Sequence, residues 1–140
     1  MNYIFTEKFI RPGLKVQNVY PKVVLVADPQ PEICSIYLRH FNDASFITQV
    51  CNKYETLAGI LRELDPHLLV LTLTPLKTKA EATVKKIIVR HPFMRIITLA
   101  RTESESDPRR LLGLGVVGHL NKELTRPQDI VTLAQHVLSF

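Results

Sequence analysis

The sequence predicts an α/β fold, a doubly wound five-stranded parallel sheet in the order 2-1-3-4-5 with helices on both faces. Short apolar runs alternate five times with segments whose apolar residues recur at helical spacing. The first run, residues 22–27, is continuously aliphatic after Lys22, which is typical of a strand buried on both faces of a parallel sheet. Strands that alternate with helices pair in parallel through right-handed crossovers, which gives this topology.

The first two strand and helix pairs follow from local signals. Strand one ends at Asp28-Pro29, and Pro31 and Glu32 open helix one, because proline is tolerated in a first turn and an acidic side chain favours the helix dipole. Strand two covers residues 44–50. The apolar face of helix two consists of Leu57, Ile60, Leu61 and Leu64. Asp65-Pro66 ends that helix.

The remaining elements repeat the pattern. Strand three covers residues 68–73, helix three carries an apolar face from Val84 to His91 before Pro92, and strand four covers residues 95–100. Residues 106–108, Ser-Asp-Pro, cap a short helix four that ends near Gly113 or Gly115. Strand five covers residues 116–120, and Pro127 opens helix five.

Length and composition fit a single domain. The chain has 140 residues, of which 46% are apolar and 22% charged, which suffices for a core without disulfides or metal ions. Because no apolar run approaches the roughly 20 residues that span a bilayer, we expect a cytoplasmic protein with no membrane partner. Cys34 and Cys51 show no metal-ligand spacing and are expected to be reduced, partly buried thiols.

Positive charge concentrates around helix three. The net charge is +5, and this stripe comprises Lys77, Lys79, Lys85, Lys86, Arg90 and Arg95, relieved only by Glu81. A solvated helix face explains such a stripe most simply, and binding to an acidic partner or to nucleic acid is the alternative. No helix-turn-helix, zinc-finger or aromatic-stacking pattern accompanies the charge.

In open parallel sheets, ligands bind at the carboxyl ends of the strands. Here that rim consists of Ala27, Asp28, Thr72, Ala100 and the segment up to Lys122. Residues 22–28, 65–72 and 115–122 together resemble the receiver domain of two-component response regulators, a flavodoxin-like fold, and the lysine segment is the most specific part. We therefore assign residues 22–140 to a receiver-like domain and residues 1–21 to an N-terminal extension, which caps the domain or reaches a partner.

The resemblance also shows where this chain departs from the family. Working receivers hold magnesium with two adjacent carboxylates after the first strand and a third, the phospho-acceptor, on the third strand. Here Ala27 replaces the first carboxylate, only Asp28 remains, and the acceptor position falls on Thr72 by strand alignment, or on Leu71 if counted back from Pro75. Ala100 replaces the switch hydroxyl and His119 the switch aromatic, whereas Lys122 matches the phosphate-pairing lysine. Lys122 would instead pair with Asp28, as a lone exposed pair of little functional weight.

We therefore expect a pseudo-receiver that is not an enzyme, needs no cofactor or metal, and binds another protein or a second copy of itself. The family's partner surface lies on helix four, strand five and helix five. In this sequence that surface is predicted to comprise Arg109, Arg110, Leu111, Leu114, His119, Lys122, Glu123 and Arg126. Two alternatives remain: a phosphoryl-accepting switch that uses Thr72 or Asp28, and a transcription regulator that binds nucleic acid through the basic stripe.

Overall fold

A computed structural model describes residues 21–101 and 106–139 of the chain. Nearly all of the predicted N-terminal extension lies outside these residues. The described part contains five parallel strands in the order β2-β1-β3-β4-β5, which confirms the predicted topology. The strands are β1 (Val23–Ala27), β2 (Ile47–Cys51), β3 (Leu68–Thr72), β4 (Arg95–Ala100) and β5 (Gly118–Asn121). The helices are α1 (Pro31–Asp43), α2 (Leu57–Leu64), α3 (Ala80–Arg90), α4 (Pro108–Leu114) and α5 (Pro127–Leu138).

Two apolar clusters fill the space between the sheet and its helices. On one face, α2, α3 and α4 bury side chains such as Leu61, Val84 and Leu111 against the sheet. On the other face, α1 and α5 bury Phe41 and Ile130. The central strand β3 is buried along its whole length, as its uninterrupted apolar sequence predicts.

The starts of two strands differ from the predictions. Strand β2 begins at Ile47 and not at residue 44, because Ser45 adopts a left-handed conformation (φ 71°) in a turn that must finish first. Strand β5 begins two residues late for a related reason, since Gly115 (φ 116°) makes the turn that ends α4. Helix α3 begins at Ala80, after a short 3₁₀ segment, Thr74–Lys79.

Helix α4 starts as its sequence predicts. The carboxylate of Asp107 accepts a hydrogen bond from the backbone N–H of Arg109 at 2.9 Å, and Pro108 occupies the first turn. This N-cap satisfies one of the donors left unpaired at a helix start. The cap therefore defines where α4 begins.

Candidate functional site

The parallel strands bring Asp28, Thr72, Ala100 and Lys122 to one rim of the sheet. Asp28 directly follows β1, Thr72 ends β3 and Ala100 ends β4. Lys122 follows β5, and its backbone N–H donates to the carbonyl oxygen of Ala100 at 2.8 Å, which fixes the lysine beside the neighbouring strand. These hydrogen bonds and strand ends place the four residues next to one another at the rim.

Asp28 is the centre of a buried hydrogen-bond network. Its Oδ2 accepts from Thr72 Oγ1 at 2.7 Å and from Lys122 Nζ, and its Oδ1 accepts from the backbone N–H of Gln30 at 2.9 Å. The Asp28 side chain is 0% exposed and that of Lys122 is 14% exposed. The prediction of an exposed pair was therefore wrong, since the lysine reaches inward and the two groups exclude water from each other.

Thr72 and Leu71 were both considered for the acceptor position on the third strand, and their side chains point in opposite directions. Thr72 points its hydroxyl at the rim, whereas Leu71 is fully buried among the apolar residues under α2 and α3. Successive side chains of a strand point to opposite faces, so the two residues cannot share this position. The Thr72 hydroxyl donates its proton to Asp28, which also accepts from Lys122.

The rim offers a poor donor set for a divalent cation. Among the rim residues that the structure describes, Asp28 is the only carboxylate, Ala27 and Ala100 contribute methyl groups, and Lys122 balances the charge of Asp28. Across residues 21–101 and 106–139, no group of three His, Cys, Asp or Glu side chains is arranged to hold a metal ion. Magnesium prefers several oxygen ligands, including carboxylates, and these residues do not fit it.

Tyr54 is a part of the rim that the sequence reasoning missed. Its hydroxyl lies 2.9 Å from the carbonyl oxygen of Ala27 and 2.6 Å from that of Thr72, and so bridges the ends of β1 and β3. Burial, with a further contribution from the Asp28 carboxylate, raises the pKa of Tyr54 far above its usual value. The hydroxyl therefore stays protonated and remains a donor. A tyrosine shortly after a strand gives no sequence signal for this role.

His119 is held by a second residue that the sequence reasoning missed. Thr98 Oγ1, fully buried on β4, lies 2.7 Å from His119 Nδ1 on β5, within hydrogen-bond distance. Thr98 is a polar residue within the buried part of β4 that follows Arg95, where its neighbours are apolar, and that contrast was the available signal. The contact ties the His119 ring to the neighbouring strand and restricts its rotation.

The two cysteines lie close to the same rim. Both are buried and free, and Cys34 Sγ donates to the carbonyl oxygen of Asp28 at 3.3 Å. The backbone N–H of Asp28 donates to the carbonyl oxygen of Cys51 at 3.0 Å. Burial and the nearby Asp28 carboxylate raise the pKa of the Cys34 thiol, so it stays protonated and unreactive.

The predicted partner surface needs one correction. Leu111 is 0% exposed and belongs to the core under α4, so it cannot contact a partner. Leu112 of α4, at 49%, and Leu124 in the loop between β5 and α5, at 83%, are large apolar side chains that are exposed here. The α4-β5-α5 face is therefore defined here by Arg109, Arg110, Leu112, Leu114, His119, Glu123, Leu124 and Arg126, with Lys122 at its border with the rim.

Three arginines of this face are paired with acidic neighbours. Arg126 forms an ion pair with Asp129 at 3.0 Å, and Arg110 lies 3.7 Å from Glu81 of α3. Arg109 is 3.8 Å from Asp107, and its side chain is 94% exposed. Exposed pairs of this kind contribute little to stability and remain available to a partner.

None of the helices in the described parts of the chain is long and apolar enough to cross a membrane.

A scan against protein-family models and a search of curated proteins found no match. Solved structures do match. An orphan response regulator of H. pylori superposes with a TM-score of 0.75 at 13% identity, covering 84% of this chain and 97% of that one. A response regulator of Thermotoga maritima gives 0.76 at 12% identity, with 86% and 100% covered.

A third similar structure is an atypical orphan response regulator that is described as revealing a phosphorylation-independent regulatory mechanism. It superposes with a TM-score of 0.72 at 14% identity, covering 84% of this chain and 96% of that chain. The low identities mean that the likeness concerns backbone topology and not individual site residues. With its strand order and five helices, the chain has the fold of the response regulator receiver domain.

Proposed function

We propose that this chain is a pseudo-receiver, a non-catalytic regulatory module that binds another protein and whose conformation is not set by aspartyl phosphate. The observation that carries the proposal is the Asp28-Lys122-Thr72 network. In this network Lys122, which matches the phosphate-pairing lysine of the family, pairs with the Asp28 carboxylate of the same chain. The rim is thereby closed by internal contacts.

The energetics of the rim support this reading. A phosphoryl group adds nearly two negative charges. To accept one, the rim would have to break the buried pair between Asp28 and Lys122. A carboxylate would then remain buried beside the new charge, and such like-charge contacts in a partly dry site are strongly unfavourable. In working receivers a magnesium ion offsets such charge, and the donor set of the described rim does not suit that ion.

Mass spectrometry after incubation with acetyl phosphate and magnesium tests the proposal directly. We expect no gain of about 80 Da, the mass of one phosphoryl group. A working receiver domain treated in parallel shows that the donor is active. A stoichiometric adduct on Thr72 or Asp28 would overturn the proposal and support the phosphoryl-accepting alternative.

The binding part of the proposal rests on the α4-β5-α5 face. Its two exposed leucines, Leu112 and Leu124, lie among polar side chains, a composition typical of non-obligate interfaces. Size-exclusion chromatography with light scattering, with and without magnesium and beryllium fluoride, should give the same mass under both conditions. If that mass is a dimer, L112S with L124S should produce a monomer. F93S is the matched control, because Phe93 is 94% exposed on another part of the surface.

Nucleic-acid binding is the second candidate, favoured by the basic stripe around α3. Lys85, Lys86 and Arg90 are exposed, and within residues 21–101 and 106–139 none of them forms an ion pair. Free cations on one helix suit a phosphate backbone. Retention on double-stranded DNA that falls steeply between low and moderate salt would support this candidate, and elution at low salt would exclude it.

A further inference from the structure

A cavity of about 380 Å³ lies between α2 and α3, on the face of the sheet that carries those helices. Its apolar wall includes Leu57 and Leu61 from α2 and Ile87 from α3. All three are largely or fully buried and belong to the core cluster on this face. The volume falls within the range of about 300–1,000 Å³ typical of small-molecule sites.

One wall of this cavity is fixed by the rim. Tyr54 lines the cavity, and its hydroxyl is held by the carbonyl oxygens of Ala27 and Thr72. A side chain held in this way does not rotate to fill the space beside it. The cavity is therefore open in the resting structure, and a ligand would bind without first ordering its walls.

The mouth of the cavity is positively charged. Arg62 of α2 and Lys86 and Arg90 of α3 line it, together with His91. None of the lining residues is acidic. In the described part of the chain no ion pair involves Arg62, Lys86 or Arg90, so their charges are available. An apolar interior below three unpaired cations is complementary to a molecule with an apolar body and an acidic group.

We propose that this cavity binds a small anionic amphiphile, a molecule with a compact apolar body and a single carboxylate or sulfonate. The apolar body lies against Leu57, Leu61 and Ile87, and the acidic group pairs with Arg62, Lys86 and Arg90. Such a site is separate from the rim and does not depend on whether the rim accepts a phosphoryl group. It gives the module a chemical input that does not require phosphotransfer.

Fluorescence titration with 8-anilinonaphthalene-1-sulfonate, an aromatic sulfonate, tests this site on the full chain. N-phenyl-1-naphthylamine, the same ring system without the sulfonate, is the matched neutral probe. We expect saturable binding of the sulfonate with one site per chain, weaker binding of the neutral probe, and displacement of the sulfonate by decanoate. Decanol, which lacks the charge, should displace it less well.

Two variants separate the charge from the cavity. R62Q with K86Q should weaken sulfonate binding about tenfold or more while leaving the neutral probe unchanged, because two charge-assisted contacts are lost. R39Q with K85Q is the matched control, since it also removes one arginine and one lysine charge, but from exposed positions outside the cavity. A58W should abolish binding of both probes, because the indole fills the cavity from an exposed position on α2.

The results that overturn the proposal are distinct. Probe fluorescence that does not saturate, or saturates equally in A58W, would show that the dye binds elsewhere on the surface. Equal weakening by the two double variants would show that only net charge matters, as for a nucleic acid or a membrane surface. Melting temperatures measured by circular dichroism establish that each variant is folded. All substituted side chains in the charge variants are exposed, so those variants remain decisive if A58W does not fold.

Discussion

The buried pair between Asp28 and Lys122 makes the sharpest prediction about stability. Substituting Lys122 by methionine keeps the length of the side chain but leaves the Asp28 carboxylate, 0% exposed, without its cation. The carboxylate keeps its hydrogen bonds from Thr72 and Gln30, which moderate the loss. Breaking a buried pair in this way destabilises proteins by about 3–5 kcal/mol. Because the Lys122 side chain is still 14% exposed, we expect a cost at the lower end, about 3 kcal/mol.

Urea denaturation of a double-mutant cycle measures this pair. The cycle comprises the original chain, D28N, K122M and the double variant, each followed by circular dichroism to obtain the free energy of unfolding. We expect a coupling energy of about 2–3 kcal/mol, because the double variant no longer contains an uncompensated buried charge. The double variant should therefore lose less free energy of unfolding than the sum of the losses measured for the two single variants.

A second pair in the same chain is the matched control. Arg126 and Asp129 are joined at 3.0 Å, but their side chains are 70% and 44% exposed, so water screens the attraction. The cycle R126Q and D129N should show a much smaller coupling than the buried pair. If the two cycles gave the same coupling, or if K122M left the free energy of unfolding unchanged, the reasoning about the closed rim would be refuted.

Three further predictions concern other parts of the structure. The backbone N–H of Val23 donates to His67 Nδ1 at 2.9 Å, and burial, with Lys22 contributing, lowers the pKa of His67. The unfolded chain then takes up the proton first, so stability should fall as the pH drops below about 6.5, and H67N, which keeps an acceptor, should weaken this dependence in urea denaturation. L111A should cost about 2–5 kcal/mol in the same assay, whereas L112A at an exposed position should change stability by less than about 0.5 kcal/mol. Y54F should cost about 1–3 kcal/mol, because two buried carbonyl oxygens lose their shared donor; an unchanged free energy of unfolding would show that water replaces it.

The sheet could be predicted because its signals are local. Continuous apolar runs such as residues 68–73 are suited only to strands buried on both faces, and alternation with helices then restricts the topology. Helix ends were predicted well where a cap or proline marks them, as at Asp107-Pro108. Strand starts were predicted less well, because a residue such as Ser45 shows no sequence sign of its left-handed conformation.

Contacts between distant residues could not be predicted in the same way. The sequence indicates that Asp28 and Lys122 share a rim, but the depth of their burial depends on how Thr72, Gln30 and the strand ends surround them. The same limit explains the error at Leu111. Helical spacing assigns it to α4, but only the angle at which α4 packs on the sheet turns Leu111 inward and leaves Leu112 outside.

By itself, the sequence determined the strand order and which residues follow the strand ends, because these depend on residue type and on spacing along the chain. The tertiary structure decided that Lys122 closes the rim on Asp28, that Tyr54 joins two strand ends, and that a cationic cavity separates α2 from α3. These features depend on side chains that meet across tens of residues. The energy of such a contact is set by burial and direction, which no local pattern records.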